Sequence, residues 1–452
     1  MTTTPVTDLA ARVEALMPEV LDELATLVAL PSVAFPGFPA DPVLKAAEAT
    51  AELLRRSGAP NARLLEIPDG YPAVFAEVPG PADAPTVLLY AHYDVQPAPL
   101  EQGWTSDPWT ATAKEDGRVY GRGIADDKGG IVMHAATLRA FEGRPPVNLK
   151  ILIEGEEETV SHLGPFVTAN PGLFSCDAFV IADVGNLRVG EPALTTGLRG
   201  TAVCDVRVDT LADPVHSGVL GGPVPDALLA LTRILGSLHD ERGNVAVPGL
   251  TGSEWVGPHM DAADLRASAG VLDGVDLVGS HSPASHLWSR ASVSVLGMDV
   301  PSIAEAANVL LPTAAARVSM RVPPGADPAA ELEVLMAHLR AAAPWGARVE
   351  VTPIKAGLPF AVDVTHPYFE AARAALTAAF GKPAGAIGAG GAIGLVATLQ
   401  SVSPEAAVIL WGPEDVAQAR IHSADESLDP AELERMILAQ SLMLAGLADT
   451  DR

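Results

Sequence analysis

Cysteine is nearly missing from this chain: Cys176 and Cys204 are the only two in 452 residues, and they do not form a CxxC pair. Two thiols cannot build a disulfide framework, so both are expected to be reduced, in a cytoplasmic protein. Basic residues are also scarce, with 29 Lys and Arg against 56 Asp and Glu and a formal charge of −27. Nucleic acids and anionic membranes are bound through basic faces, so neither is an expected partner. No uninterrupted apolar run reaches the roughly 18 residues of a membrane span. The N-terminal stretch MTTTPVTDLAARVEALMPEV has neither the basic start nor the apolar core of a secretory signal. Internal repeats and low-complexity tracts are absent too. What is present is 48% hydrophobic residues in a chain longer than one core usually serves, which predicts two domains.

Helical periodicity over 7–30, 43–57 and 128–141 alternates with the strand-like runs AVFAEV, TVLLYAHYDV, NLKILIEG and AFVIADV. Such alternation predicts an α/β fold with a mostly parallel central sheet covered by helices. The order changes after Arg199 and Gly200. Strand TAVCDVRVD and helix PVPDALLALTRILGSLH lead into a polar, histidine-rich stretch from His259 to His286, and strand ARVSMRVPP, helix AAELEVLMAHLRAAA and strand ARVEVTPI follow. That order suits an inserted α+β domain of ferredoxin-like type. The expected division is therefore 1–199 for the first part of the main domain, 200–355 for the insert and 356–452 for the return.

Chemistry-bearing residues gather at the ends of the apolar runs. Glu154 and Glu156 to Glu158 follow LKILI, and four neighbouring acids repel one another unless protons or cations neutralise them. A solvated acidic turn is the plain alternative for that run alone. Two further clusters argue against it: Asp126 and Asp127 form a pair in a glycine-rich turn, and His92 and Asp94, two apart on a strand, share one face. With Asp183 in VIADVG and His422 in IHS, the chain offers two imidazoles and several carboxylates where parallel strands end, the usual ligand edge of such sheets. GRGIADDKGG partly imitates a dinucleotide fingerprint, but Asp126 occupies the third glycine position and would repel a pyrophosphate. GAGGAIG fails likewise at Ile393; it reads as a tight loop or as a nest of backbone NH groups beside a substrate anion. His134, His162, His239, His281, His338 and His366 have no partner motif and read as structural or surface residues.

Taken in order, AHYDVQP, GRGIADDKG, EGEEE, Asp183, the LRG of Leu198–Gly200, HSGVLGG, the RVPP starting at Arg321, GAGGAIG and the closing HS resemble the motifs of the M20 metallopeptidases. The likeness is to their dipeptidase branch, which includes the carnosine dipeptidases, and it covers nearly the whole chain. It implies a phosphorylase/hydrolase-like catalytic domain and an inserted ferredoxin-like lid through which the protein would form a homodimer. It also implies two divalent metal ions per subunit, usually zinc; manganese and cobalt suit the same ligand types. By this resemblance His92 and Asp183 hold one ion, Glu158 and His422 the other, and Asp126 bridges them. Glu157 would be the general base and Asp94 the acid orienting His92. His216 would reach the partner subunit's site to stabilise the oxyanion, and Arg321, Asn308, Gly391 and Ala392 would meet the substrate. A cis peptide between Asp126 and Asp127 is implied as well.

Two positions depart from the family pattern. Relatives commonly read GGSIP where this chain has Gly390, Gly391, Ala392, Ile393 and Gly394, so a serine hydroxyl is missing, and Val160 replaces a glycine. The expected activity is metal-dependent hydrolysis of dipeptides or very short peptides. Aspartate at Asp183, where deacylases and carboxypeptidases often have glutamate, points the same way. An N-acyl- or N-carbamoyl-amino-acid amidohydrolase, or a carboxypeptidase, would use the same site. A catalytically silent peptide-binding scaffold would have lost ligands that this chain keeps.

Overall fold

The computed structural model describes residues 6–391 and 393–449, so Ala392 lies outside the described residues. Strands Asn148–Glu154, Thr86–His92, Ala178–Ile181 and Ala407–Leu410 lie side by side, all parallel, at the centre of a nine-stranded sheet. Their side chains are almost all buried. This is why LLYA, ILI, FVI and VIL read as continuous apolar runs: a parallel sheet is covered on both faces. The margins are antiparallel: Ala73–Val78 pairs with Asn148–Glu154 on one side, and Phe360–Ala361 with Ala193–Leu198 on the other. Helices Val6–Val28, Lys128–Ala140 and Pro430–Asp449 pack on one another, so the end of the chain closes over its beginning.

His134 locks that helical layer to the sheet. It is fully buried, its Nε2 lies 3.0 Å from the Tyr90 carbonyl and its Nδ1 3.1 Å from Gln440 Oε1. Both ring nitrogens face oxygens that only accept, and a neutral ring can donate to one of them. Burial lowers the imidazole to about pKa 4 and keeps it neutral. Among the described residues no helix is long and apolar enough to cross a membrane.

The second sheet is antiparallel, in the order Ser292–Asp299, Thr313–Val322, Gly200–Asp209, Arg348–Gly357. In Gly200–Asp209 every second residue, Ala202, Cys204, Val206 and Val208, is buried. This period-two face packs against helices Ala227–Gly236 and Pro328–Ala341 and forms a core separate from that of the larger sheet. A third, smaller core joins the two parts: Met260 and Trp288 from the insert pack with Leu187 and Ile387 of the main sheet region.

The structure adds elements that periodicity did not predict. Gly385–Ala389 of the glycine-rich stretch is a strand parallel to Ala193–Leu198, and Gly394–Val402 is a helix. Glycine serves close packing here, because a Cβ on Gly388 would fall 2.6 Å from the Trp288 Cβ. Strand Ser292–Asp299 is an edge strand whose Val295, Leu296 and Met298 face outward. Its weak burial explains why no alternating pattern marks it.

Candidate metal centre

The parallel central strands end on one edge, and that edge gathers the acids and imidazoles. His92 is the last residue of its strand, Glu154 the last of the neighbouring one, and Asp183 lies two residues past Ile181. Helix Lys128–Ala140 is capped at its start by the Asp127 side chain, which accepts from Gly130 N, so Asp126 is held at the mouth of that turn. The peptide between Asp126 and Asp127 is cis. His422, at φ 62, comes from the loop that precedes the final helix.

Two clusters result, and Asp126 belongs to both. His92 Nε2 is 3.0 Å from Asp126 Oδ1 and 3.5 Å from Asp183 Oδ1. His422 Nε2 is 3.0 Å from Asp126 Oδ2 and 3.1 Å from Glu158 Oε2. Ligand atoms on one tetrahedral zinc ion stand roughly 3.3 Å apart; the imidazole–carboxylate separations in both clusters are near that value, and all the ligand atoms of each cluster lie within 4.8 Å of one another. The donor set, two imidazoles and three carboxylates, suits such ions as well.

Electrostatics favour cations at the same place. Burial, then the charges of Asp126 and Glu158, push Asp183 up to about 6 against the opposing hydrogen bond from His92. Glu157 is raised well above the usual carboxylate range by burial and by the charge of Asp183. Burial would lower His422, but its hydrogen bonds to Asp126 and Glu158 push it up to about 11. His92 is raised for the same kind of reason, through Asp126, Asp183 and Asp94. Protonated imidazoles thus supply the positive charge the acids demand, and divalent ions between the same atoms would supply more of it.

Asp94 has a wider role than holding a ring nitrogen. His92 Nδ1 lies 3.0 Å from the Asp94 carbonyl oxygen and 3.5 Å from its carboxylate. The carboxylate instead accepts the backbone NH groups of Glu157 and Glu158, each at 3.1 Å. One residue therefore orients an imidazole from one strand and two acids from the next.

A model of Peptidase family M20/M25/M40 matches residues 88–445. Over 370 residues the chain is 42% identical to cysteinylglycine-S-conjugate dipeptidase of Corynebacterium striatum, covering 80% of this chain and 81% of the relative. The chain belongs to peptidase family M20/M25/M40. Human carnosine dipeptidase 1 superposes with a TM-score of 0.79 at 25% identity, covering 98% of this chain and 99% of its own. The dipeptidase Dug1p of Saccharomyces cerevisiae shares the fold over 100% of both chains, with a TM-score of 0.83 and 23% identity.

In this M20 peptidase the residues expected to meet substrate lie apart from the two clusters in sequence and on other elements. His216 is exposed, with Nδ1 accepting from Gly218 N at 3.0 Å, and it pairs with Val309 across a short ribbon that places Asn308 beside it. Arg321 is the last residue but one of the strand Thr313–Val322 and is exposed, opposite Ser292 and Thr201. Gly391 is exposed at the loop before helix Gly394–Val402.

Sequence reasoning missed the supports. Glu426 is fully buried, accepts from the backbone NH groups of Gly123 at 3.0 Å, Ala125 at 3.0 Å and Asp126 at 3.1 Å, and pairs with Arg122 at 2.7 Å. Its only sequence signal is its place four residues after His422. Gln96, inside the string HYDVQP, donates to Glu158 Oε2 at 2.8 Å.

Proposed function

We propose that the protein is a metal-dependent dipeptidase that hydrolyses the peptide bond of dipeptides or very short peptides, with two divalent ions, zinc first among them. The observation that carries this reading is the sharing of Asp126, one carboxylate oxygen to each three-residue cluster. His92 and Asp183 would hold one ion, and Glu158 and His422 the other. When bound, such a pair lowers the pKa of a shared water and polarises the scissile carbonyl. Glu157, held by Asp94 through its backbone NH, takes the proton of the attacking water and delivers it to the leaving amine. The names of the relatives, a cysteinylglycine-S-conjugate dipeptidase and a Beta-Ala-His dipeptidase among them, support the substrate class.

Residues 200–355 act as a lid carrying His216, Asn308 and Arg321, with Arg321 on the substrate's terminal carboxylate and Asn308 and the Gly391 backbone beside it. His216 serves the site of a partner subunit, which makes the protein a homodimer through this lid. The exposed edge strand Ser292–Asp299 supports an interface there. The free thiols of Cys176 and Cys204 support a cytoplasmic location.

The test is hydrolysis of free and N-acetylated dipeptides by chelator-stripped enzyme, with and without zinc, manganese or cobalt. Metal-restored cleavage of the free set is expected. Cleavage of the N-acetylated set alone would make the protein an amidohydrolase and overturn the reading. His216→Ala should lower kcat by about 10²–10³, the usual weight of one oxyanion donor, with metal content intact. Mixing it with Glu157→Ala under subunit exchange should recover about a quarter of wild-type activity, because half the dimers then carry one complete site. Recovery of none would show that His216 acts within its own chain or not at all.

A further inference from the structure

Arg199 stands at the junction of the two sheets, between strand Ala193–Leu198 and strand Gly200–Asp209. It is buried, at 7% exposure. Its guanidinium reaches three separate segments: Nε donates to the Gly390 carbonyl at 3.3 Å, and Nη1 donates to the His286 carbonyl at 3.1 Å and to Ser292 Oγ at 3.0 Å. Its own backbone NH meets the Ala389 carbonyl at 3.3 Å. The loop before helix Gly394–Val402, the histidine-rich segment and the edge strand of the lid are thus tied by one side chain.

The pairing is unusual in its electrostatics. A buried guanidinium normally has a carboxylate partner, yet all the acceptors of Arg199 are neutral, and the nearby charge that acts on it is that of Arg321. Burial and that like charge hold Arg199 down to about 10, so it stays cationic at neutral pH. Arg321 sits directly across from Ser292, the residue that Arg199 grips. Among the described residues, two guanidiniums, with no acid among the partners of Arg199, therefore share one corner of a chain whose net charge is −27. Gly390 permits the approach, since a Cβ there would lie 3.1 Å from Arg199 Nη2.

We propose that Arg199 is a positioning residue for recognition of the substrate's free C-terminal carboxylate: it pins the loop at Gly390 and Gly391 to the lid beside Arg321 and adds a second positive charge to that corner. The proposal rests on the dipeptidase reading above. It also accounts for how a chain without the serine of the GGSIP pattern would still hold a free C-terminus. Arg321 touches the carboxylate, while Arg199 acts through the loop and through its field. Burial strengthens that field relative to an exposed charge.

The experiment compares alanylglycine with alanylglycine amide as substrates of the full-length, metal-loaded enzyme and of its Arg199→Gln, Arg199→Lys and Ser292→Ala variants, with metal content and Tm measured alongside. Wild type should prefer the free acid. Arg199→Gln should raise KM for the acid at least tenfold, with kcat within about threefold and KM for the amide unchanged. Lysine should restore part of the preference, because it returns the charge without the fork. Ser292→Ala should shift KM for the acid in the same direction by a few-fold, and it keeps the test decisive if Arg199→Gln does not fold. Equal losses on acid and amide, a fall confined to kcat, or an unchanged acid preference in both Arg199→Lys and Ser292→Ala would overturn the proposal. A wild-type enzyme that cleaves neither substrate with any metal would instead overturn the dipeptidase reading itself, and the inference with it.

Discussion

Glu157→Ala should bind its full complement of metal, fold normally and lose turnover by about 10²–10⁴, the range general acid–base groups contribute. Glu157 belongs to neither three-residue cluster. Its backbone NH is anchored to Asp94 at 3.1 Å, so the position survives loss of the side chain. What disappears is a carboxylate raised by burial and by the charge of Asp183. Removing a repelled, half-buried acid is not expected to weaken the metal-free fold, and its Tm is expected to stay level or rise. Glu157→Gln, which keeps the shape, should lose as much in kcat as the alanine variant, with KM little changed. Metal analysis beside kcat decides the matter: loss of activity with loss of metal would make Glu157 a ligand, and activity retained in a metal-replete variant would remove it from the proton path.

Much of this site was legible because strand ends are legible. An apolar run followed by an acid or a histidine, repeated at His92, Glu154 and Asp183, marks the carboxyl edge of a parallel sheet, and the geometry of such a sheet brings those ends together without further information. That Asp126 and His422 share one ion needed the family resemblance, since nothing in their spacing says they face one another across 296 residues. The support provided by Glu426 was invisible for a related reason: it hydrogen-bonds backbone NH groups about 300 residues away, and backbone donors leave no trace in side-chain patterns. Strand Gly385–Ala389 was hidden by its own composition, because glycines that read as a loop serve close packing, Gly388 against Trp288 and Gly385 against Pro258. The grip of Arg199 on Gly390, His286 and Ser292 joins three segments whose proximity only the packed structure fixes.

Asp126→Asn should abolish binding of both ions together, whereas His92→Ala and His422→Ala should each weaken one. The reason is the division of its carboxylate: Oδ1 serves the His92 side and Oδ2 the His422 side, each at 3.0 Å. An amide of the same shape offers one neutral oxygen and one NH₂; an NH₂ cannot ligate a cation, so one ion loses its bridging ligand outright and the other keeps only an uncharged one in place of a carboxylate. The expected stoichiometry falls from two ions per chain towards none, against about one for either histidine variant, and hydrolysis falls to background. Stability supplies a readout free of turnover. Metal held at a thousandfold excess over Kd stabilises a fold by about 4 kcal/mol, so the rise in Tm on adding zinc should be large in wild type and nearly lost in Asp126→Asn. The sign of the pH dependence follows from the imidazoles. His422 is pushed up to about 11, and His92 is also raised, in the metal-free chain. Metal must therefore displace protons from both, and apparent affinity should fall steadily as pH is lowered. Two ions per chain retained in Asp126→Asn, with the zinc-induced shift in Tm intact, would mean that the clusters do not share a bridging carboxylate.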